Sequence, residues 1–337
     1  MNPIMISQVK NLLSDKDQPI AIVTHTNPDG DALGSSLGLY GFLLLSGYKR
    51  VSVITPDRYP SFLQWMAWEQ EIVVADQDQA KAEAAILGAK LVFCLDFNGI
   101  NRVNHLEETL RNAKGKKILI DHHPQPEDEF DIVFSNTNVS STAELVFYFI
   151  AALGGEMTMD VRVAECLYAG IVTDTGSFSY GCNEPKTYEI TAKLIALGVD
   201  GEHLHRLIYN TYSADRMRLL GYCLSEKLKV LPEQNAAHIS LSAKDLKRFN
   251  HQEGDTEGVV NYAMSIENIH LAALFIEKED HVKISFRSAG VVDVNMLARE
   301  YFNGGGHRNA AGGKSFDSLE VTIRQFEDVI KKGQLKK

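Results

Sequence analysis

No two cysteines in this chain have C-x-x-C spacing, and the four present (Cys94, Cys166, Cys182, Cys223) are scattered. A zinc ribbon and a disulfide framework are therefore excluded, and reduced core thiols remain the reading. No apolar run approaches the roughly 18–20 residues of a membrane helix; the longest, residues 37–46, is short and carries glycines. The opening MNPIMISQVKNLLSDKDQ lacks a basic start, an apolar stretch and a cleavage site, so a signal peptide is not expected and the cytoplasm is. Positive charge is also short: 34 Lys and Arg face 44 Asp and Glu, a net of −10. That argues against tight binding of long nucleic acid, which needs many cation–phosphate contacts. It leaves room for a small anion held by metal ions or a few local cations. Internal repeats and low-complexity segments are missing too.

What is present is a chain of 337 residues, 45% hydrophobic and 23% charged. At about 150 residues per domain this predicts two globular domains. Short apolar runs at 19–24, 51–54, 90–95 and 117–120 read as buried strands. Helical patterns at 31–46, 79–88 and 101–113 lie between them. Strand and helix in alternation predict a parallel sheet covered by helices. Further helices are expected at 141–153, 160–172 and 185–197. A polar helical stretch, 203–230, reads as the connector. Beyond it, strands at 236–242, 271–288 (a hairpin turning near Glu279–Asp280) and 313–316 alternate with helices at 256–267, 293–302 and 318–332. The fold class is α/β: an N-terminal parallel-sheet domain over 1–200, a connector over 201–230 and a smaller α/β domain over 231–337.

Open parallel sheets bind ligands beyond the carboxyl ends of their strands. Three expected strands end in groups that can ligate a metal. One runs into His25-Thr-Asn-Pro-Asp29-Gly-Asp31, the next into Asp96-Phe-Asn-Gly, the third into Asp121-His122-His123-Pro. A fourth acid, Asp174, lies where an apolar helix ends. A single aspartate at a strand end is ordinarily a cap or a turn residue. Four such segments aimed at one edge point to a metal site. Carboxylates and imidazoles without thiolates favour Mn²⁺ or Mg²⁺. The carboxylates are numerous enough for two ions about 4 Å apart, which would acidify a bridging water and neutralise charge on a phosphoryl oxygen. Glycines in Pro28–Ser35 are expected to let the backbone fold closely around the ions, and Asp31 lies at a helix start, whose dipole favours its carboxylate. His203 and His205 read as a solvated helix face.

The C-terminal half adds Asn303-Gly-Gly-Gly-His307-Arg-Asn-Ala-Ala-Gly-Gly313, whose consecutive glycines suggest an anion nest of backbone N–H groups. Arg287, in Ser-Phe-Arg-Ser at a strand end, could grip a phosphate bidentately.

Together, HTNPDGDALGS, LDFNG, DHHP, VTDTGSF, SFRS and GGGHRNAAGG resemble the DHH phosphoesterase family, in the subgroup with a DHH-associated C-terminal domain. The resemblance runs over residues 20–330 in the expected order. It implies one metal on His25, Asp29, Asp96 and Asp174 and another on Asp31, Asp96, His122 and Asp174. Asp96 would bridge, and Asp174 would bridge or lean to one ion. Asp121 would orient a histidine, and His123 would face the scissile phosphate as acid or charge stabiliser; these two are the implied catalytic residues. Arg287, Gly305, Gly306 and His307 would bind the substrate's terminal phosphate, across an interdomain cleft. Within the family, GGGH argues against inorganic pyrophosphatases, length and charge against the longer exonucleases, and the early His25 against membrane-bound cyclic-dinucleotide phosphodiesterases. The resemblance therefore implies a compact hydrolase of short oligoribonucleotides and of 3′-phosphoadenosine 5′-phosphate (pAp), with two divalent ions, most simply Mn²⁺, and a homodimer as family members often form. The alternatives are a soluble phosphodiesterase of linear or cyclic dinucleotides (pApA, pGpG, c-di-AMP) and a non-catalytic metal or nucleotide sensor. Phe97, Phe178 and Tyr180 are candidates to stack a base.

Overall fold

A computed structural model describes residues 1–290 and 292–332; residue 291 and residues 333–337, the end of the expected second domain, lie outside the described residues. The chain divides into two compact units, the first ending at Thr211 and the second beginning at Tyr212. The division falls inside the 201–230 stretch.

The first unit comprises α1 (Pro3–Leu12), β1 (Ile20–Thr24), α2 (Gly30–Leu45), β2 (Val51–Thr55), β3 (Ile72–Val74), α3 (Gln79–Gly88), β4 (Leu91–Leu95), α4 (Glu107–Asn112), β5 (Lys116–Asp121), β6 (Ile132–Ser135), α5 (Thr142–Leu153), α6 (Val161–Asp174), α7 (Pro185–Ala196) and α8 (Gly201–Tyr209). Its six strands are all parallel, in the order β3-β2-β1-β4-β5-β6. β1 and β4 are buried at every residue, as strands covered on both faces must be. Side chains alternate between two cores. Ile20, Ile22, Phe93 and Leu95 pack under α2, α5 and α6, whereas Ala21, Val23, Val92 and Cys94 pack under α3 and α4. The four cysteines are free and buried.

Strand order reverses between β1 and β4, which makes that place the topological switch point. Register carries this down to residues. Thr24 pairs with Leu95, and Leu95 with Ile120. The residues one step further, His25, Asp96 and Asp121, therefore leave the sheet side by side.

The second unit holds α9 (Ala214–Tyr222), β7 (Leu228–Leu231), β8 (Ala236–Leu241), α10 (Ala243–Arg248), α11 (Val259–Met264), β9 (Leu271–Glu277), β10 (Val282–Ser288), α12 (Val294–Tyr301), β11 (Gly305–Gly306), β12 (Ala310–Ser315) and α13 (Leu319–Lys331). Its six strands lie in the order β11-β12-β10-β9-β8-β7, antiparallel except for β8–β9. Val294, Leu297, Phe326 and Val329 from α12 and α13 line one core, and Leu219, Val259 and Val260 from α9 and α11 line the other.

Six elements are absent from the sequence reading: α1, β3, β6, β7, α10 and β11. β3 and β6 are three- and four-residue edge strands, too short to leave a pattern. The helix expected over 101–113 is a 3-10 segment, Ile100–Leu106, broken at Asn104 (φ 50°) before α4 begins. The connector is no single helix. α8 buries Leu204 and Ile208 in the first unit, α9 buries Leu219 in the second, and β7 follows a short π-helical turn. No helix among the described residues is long and apolar enough to cross a membrane.

Candidate metal centre

Each acid and imidazole of the first unit reaches the site from a strand or helix end. His25 follows β1. Its Nδ1 lies 2.8 Å from the Thr26 carbonyl, which can only accept, so Nδ1 carries the proton and Nε2 turns to Asp96 Oδ2 at 3.3 Å. Asp29 caps α2, accepting from the N–H groups of Asp31 and Ala32. It is at once a helix cap and, from its exposed position, a neighbour of His25 and Asp96. Asp31 is buried in the first turn of α2. Asp174 ends α6, with its side chain 28% exposed, and lies 3.3 Å from His122 Nε2.

Asp96 stands at the centre. It is 2% exposed and takes the left-handed conformation (φ 66°) as the chain turns off β4. Its two oxygens face different partners. Oδ2 faces His25, whereas Oδ1 lies 3.7 Å from His122 Nε2, which is itself 3.9 Å from Asp31 Oδ2. Two groups of ligand atoms result, His25–Asp29–Asp96 and Asp31–Asp96–His122, each with all its atoms within 4.8 Å of one another.

This arrangement crowds negative charge into a buried place. Burial, then the charges of Asp96 and Asp29, push the Asp31 carboxyl well above the ordinary carboxylate range, against the backbone N–H groups of Ala143 and Thr142. Burial and the Asp29 charge do the same to Asp96. Burial lowers the His25 imidazole, favouring the neutral ring that a metal requires. Asp121 Oδ2 is buried without a hydrogen-bond partner. Hard carboxylates, neutral imidazoles and excess buried charge fit divalent cations of the Mn²⁺ and Mg²⁺ type.

Asp121 orients a histidine, and that histidine is His123: its Nδ1 lies 2.7 Å from Asp121 Oδ1. Burial opposes protonation of His123, yet the Asp121 bond and charge override it and raise its pKa. Asn98 ties the two motif loops together, donating from Nδ2 to the Pro124 carbonyl at 2.7 Å.

The glycines of Pro28–Ser35 seat α2 on α6, a packing role absent from the sequence reading. A Cβ on Gly34 would come 2.5 Å from the Cys166 carbonyl oxygen, and one on Gly170 2.5 Å from Ala143 Cβ. That close approach brings the Asp29–Asp31 turn to Asp174. Phe97 is buried in the core against α4, which removes it as a base platform. Phe178 is half-buried and stacks on Tyr188 (centroids 5.6 Å apart, planes at 28°), whereas Tyr180 is 44% exposed. His203 and His205 lie exposed on α8.

In the second unit Arg287 ends β10 half-buried. One Nη donates to the Phe286 carbonyl, and Nε is buried without a partner. The three glycines form no open nest. Gly304 N–H donates to the Ala298 carbonyl, Gly306 N–H to Asn295 Oδ1 at 3.0 Å and His307 N–H to the Ala310 carbonyl. Gly305 and Gly306 pair with β12 as a strand, and a Cβ on Gly304 would strike the Gly312 carbonyl. Strand approach requires Gly304 and Gly306, whereas a Cβ on Gly305 would make only ordinary contacts. His307 is half-buried directly after them.

Two supporting residues escaped the sequence reading. Asp57, just past β2, accepts from Thr26 Oγ1 and, at 2.7 Å, from Asn27 N–H, so it pins the loop between His25 and Asp29. The strand-end rule that found Asp96 would have found it. Thr142, the first residue of α5, donates its backbone N–H to Asp31 and its hydroxyl to Asp96. Ser141 and Glu144 signal a helix start there, but no local pattern reveals contacts with residues 31 and 96.

The chain matches the DHH family, N-terminal domain, over residues 19–171 and the DHHA1 domain over residues 236–332. It is 31% identical to the probable bifunctional oligoribonuclease and PAP phosphatase NrnA of Streptococcus mutans, over 89% of this chain and 91% of that one. It is 32% identical to the bifunctional oligoribonuclease and PAP phosphatase NrnA of Thermus thermophilus, over 95% and 92%. An exopolyphosphatase-related protein from Bacteroides fragilis superposes with a TM-score of 0.92 at 41% identity, covering 98% of this chain and 96% of that one. Likeness of this extent, reaching across both units and both families of motifs, places the chain in the DHH family of metal-dependent phosphoesterases, with a DHHA1 domain as its second unit.

Proposed function

We propose that this chain hydrolyses short oligoribonucleotides to 5′-mononucleotides and pAp to AMP. Near-full-length similarity to relatives named for both activities carries this reading. The first unit supports it with two groups of ligand atoms that share Asp96. In this reading each group takes a divalent ion, Mn²⁺ for preference: His25 and Asp29 serve one, Asp31 and His122 the other, and Asp96 both. Asp174 joins His122 or both ions. Bound there, two such ions would supply Lewis acidity to a phosphoryl oxygen and lower the pKa of water toward 7.

The protein's own groups do the rest. His123, held through Nδ1 by Asp121, keeps Nε2 for the scissile phosphate, where a raised pKa suits an acid or a stabiliser of developing charge. Arg287, as the bidentate donor, and His307 bind the substrate's terminal phosphate, while Gly305 and Gly306 hold the strand that presents His307. A substrate of about two to five nucleotides carries few phosphates, which suits an acidic, cytoplasmic protein that concentrates its positive potential at the site.

The test is product release from pAp, a 5′-phosphorylated RNA dinucleotide, a 24-mer and cyclic di-AMP with Mn²⁺, each against an EDTA control. Fast, EDTA-sensitive turnover of the dinucleotide and pAp, with little on the 24-mer, is expected. Preference for the 24-mer or cyclic di-AMP would overturn the substrate assignment. Silence on all four would favour a sensor.

A further inference from the structure

Thr142 is fully buried, and three bonds join the first two residues of α5 to the centre of the site. Thr142 N–H donates to Asp31 Oδ2 at 2.6 Å, and Ala143 N–H donates to Asp31 Oδ1 at 2.8 Å. Thr142 Oγ1 donates to Asp96 Oδ1 at 2.9 Å. The helix N-terminus thus holds both oxygens of one carboxylate, and one hydroxyl holds the oxygen of Asp96 that faces His122. The segment is itself braced. Glu144, 1% exposed, accepts from Ser140 N–H, Ser140 Oγ and, on α7, Thr187 Oγ1, while Ser141 Oγ accepts from Glu144 N–H.

Which oxygens a shared carboxylate offers to two ions depends on its χ2, because rotation exchanges or tilts them. Asp96 leaves β4 in a left-handed turn, and its carboxylate otherwise lies among His25, His122 and His123 and the carboxylates of Asp29, Asp31 and Asp121, whose charge or protonation a metal would change. The Thr142 hydroxyl is the fixed, neutral donor that settles which oxygen goes where. We infer that Thr142 is a positioning residue for the metal centre, its hydroxyl setting the bridging orientation of Asp96 while its N–H, with that of Ala143, seats Asp31. This rests on the metal-site reading above. It adds that divalent-ion affinity depends on a residue that ligates nothing.

Partners of this kind typically change metal affinity by about 10–100-fold. Thr142→Val keeps shape and both backbone N–H bonds and removes only the hydroxyl. Thr142→Ser restores it. Mn²⁺ binding to the metal-stripped full chain, followed calorimetrically without substrate, is expected to weaken about 10–100-fold in Thr142→Val and to stay within about threefold of the parent in Thr142→Ser. Turnover by the valine variant should recover as Mn²⁺ is raised, with KM for pAp unchanged. Should valine prevent folding, Thr142→Ala removes the same hydroxyl from a smaller side chain and carries the same expectation. Equal Mn²⁺ affinity in parent and valine variants would overturn the inference. So would a serine variant as impaired as the valine one, since that marks a packing role. A parent chain that binds no Mn²⁺ would instead defeat the metal-site reading itself.

Discussion

Asp96 concentrates the conflict on which the site is built. Its carboxylate is buried beside Asp29, Asp121 and Asp174, and His123 and the Thr142 hydroxyl oppose the accumulated charge. Without a cation this is an unfavourable arrangement, because an uncompensated buried charge costs several kcal/mol. Asparagine fits the same place. It adopts the left-handed conformation as readily as aspartate and still accepts a hydrogen bond from Thr142. Asp96→Asn should therefore separate function from folding. Turnover at saturating Mn²⁺ is expected to fall by more than about 100-fold, beyond what loss of a supporting residue does. The melting temperature in EDTA is expected to hold or rise, because a repulsive charge has gone. Full retained activity would remove Asp96 from the bridging role, and a lower melting point in EDTA would make it a structural residue. At this scale the strand-end rule made His25, Asp96 and Asp121 legible, since it needs only the position of a carboxyl end. Thr142 stayed hidden because its importance arises from contact with residues more than forty positions away.

Among elements, long ones with unbroken periodicity were readable, and short ones at sheet edges were not. α2 shows how one pattern can carry a second reason: its glycines mark a helix pressed on α6, while Asp29 caps the turn at the site. α10 is short and stands on its N-terminal cap. Ser242 and Asp245 exchange capping bonds, and Asp245 also takes Lys227 Nζ at 2.8 Å and Tyr222 Oη at 2.9 Å. Burial alone would raise the Asp245 carboxyl, but Lys227, Ser242 and Tyr222 override it and hold it well below the usual carboxylate range. The unfolded chain therefore binds this proton first. The stability that Asp245 contributes is whole above the ordinary aspartate pKa near 4 and is lost as pH falls below it toward the folded value. Both tryptophans, Trp65 and Trp68, lie in the first unit, so a transition seen by far-UV circular dichroism and not by tryptophan fluorescence reports the second. Urea titrations are expected to show that second-unit transition weakening below about pH 4. Asp245→Asn should lower it by about 1–2 kcal/mol at pH 7 and flatten its acid limb. An unchanged acid limb in the variant would show that other groups carry the pH dependence.

For the whole molecule, both units and their α/β class were legible because each buries a sheet under helices whose apolar periodicity the sequence shows. The change of unit was less so, because α8 and α9 are both amphipathic and only their packing says which core each joins. Net charge acts at this scale as well. A net charge of −10 works against a polyanion, and the short-substrate reading expects no gain in affinity from a long track of phosphates. The number of phosphates engaged is readable from salt dependence, at about −0.7 in log–log slope for each contact with a single strand. A 5′-phosphorylated dinucleotide has two phosphates, so log kcat/KM against log salt should fall with a slope no steeper than about −1.5. An enzyme that tracks six to ten phosphates along a strand would instead show a slope of about −4 to −7. On the short-substrate reading the 24-mer should bring no steeper slope than the dinucleotide, because its additional phosphates would lie beyond the site. A slope that steepens from dinucleotide to 24-mer, with kcat/KM rising at low salt, would mean that an extended cationic path exists despite the overall charge, and the short-substrate reading would give way to that of a processive exonuclease.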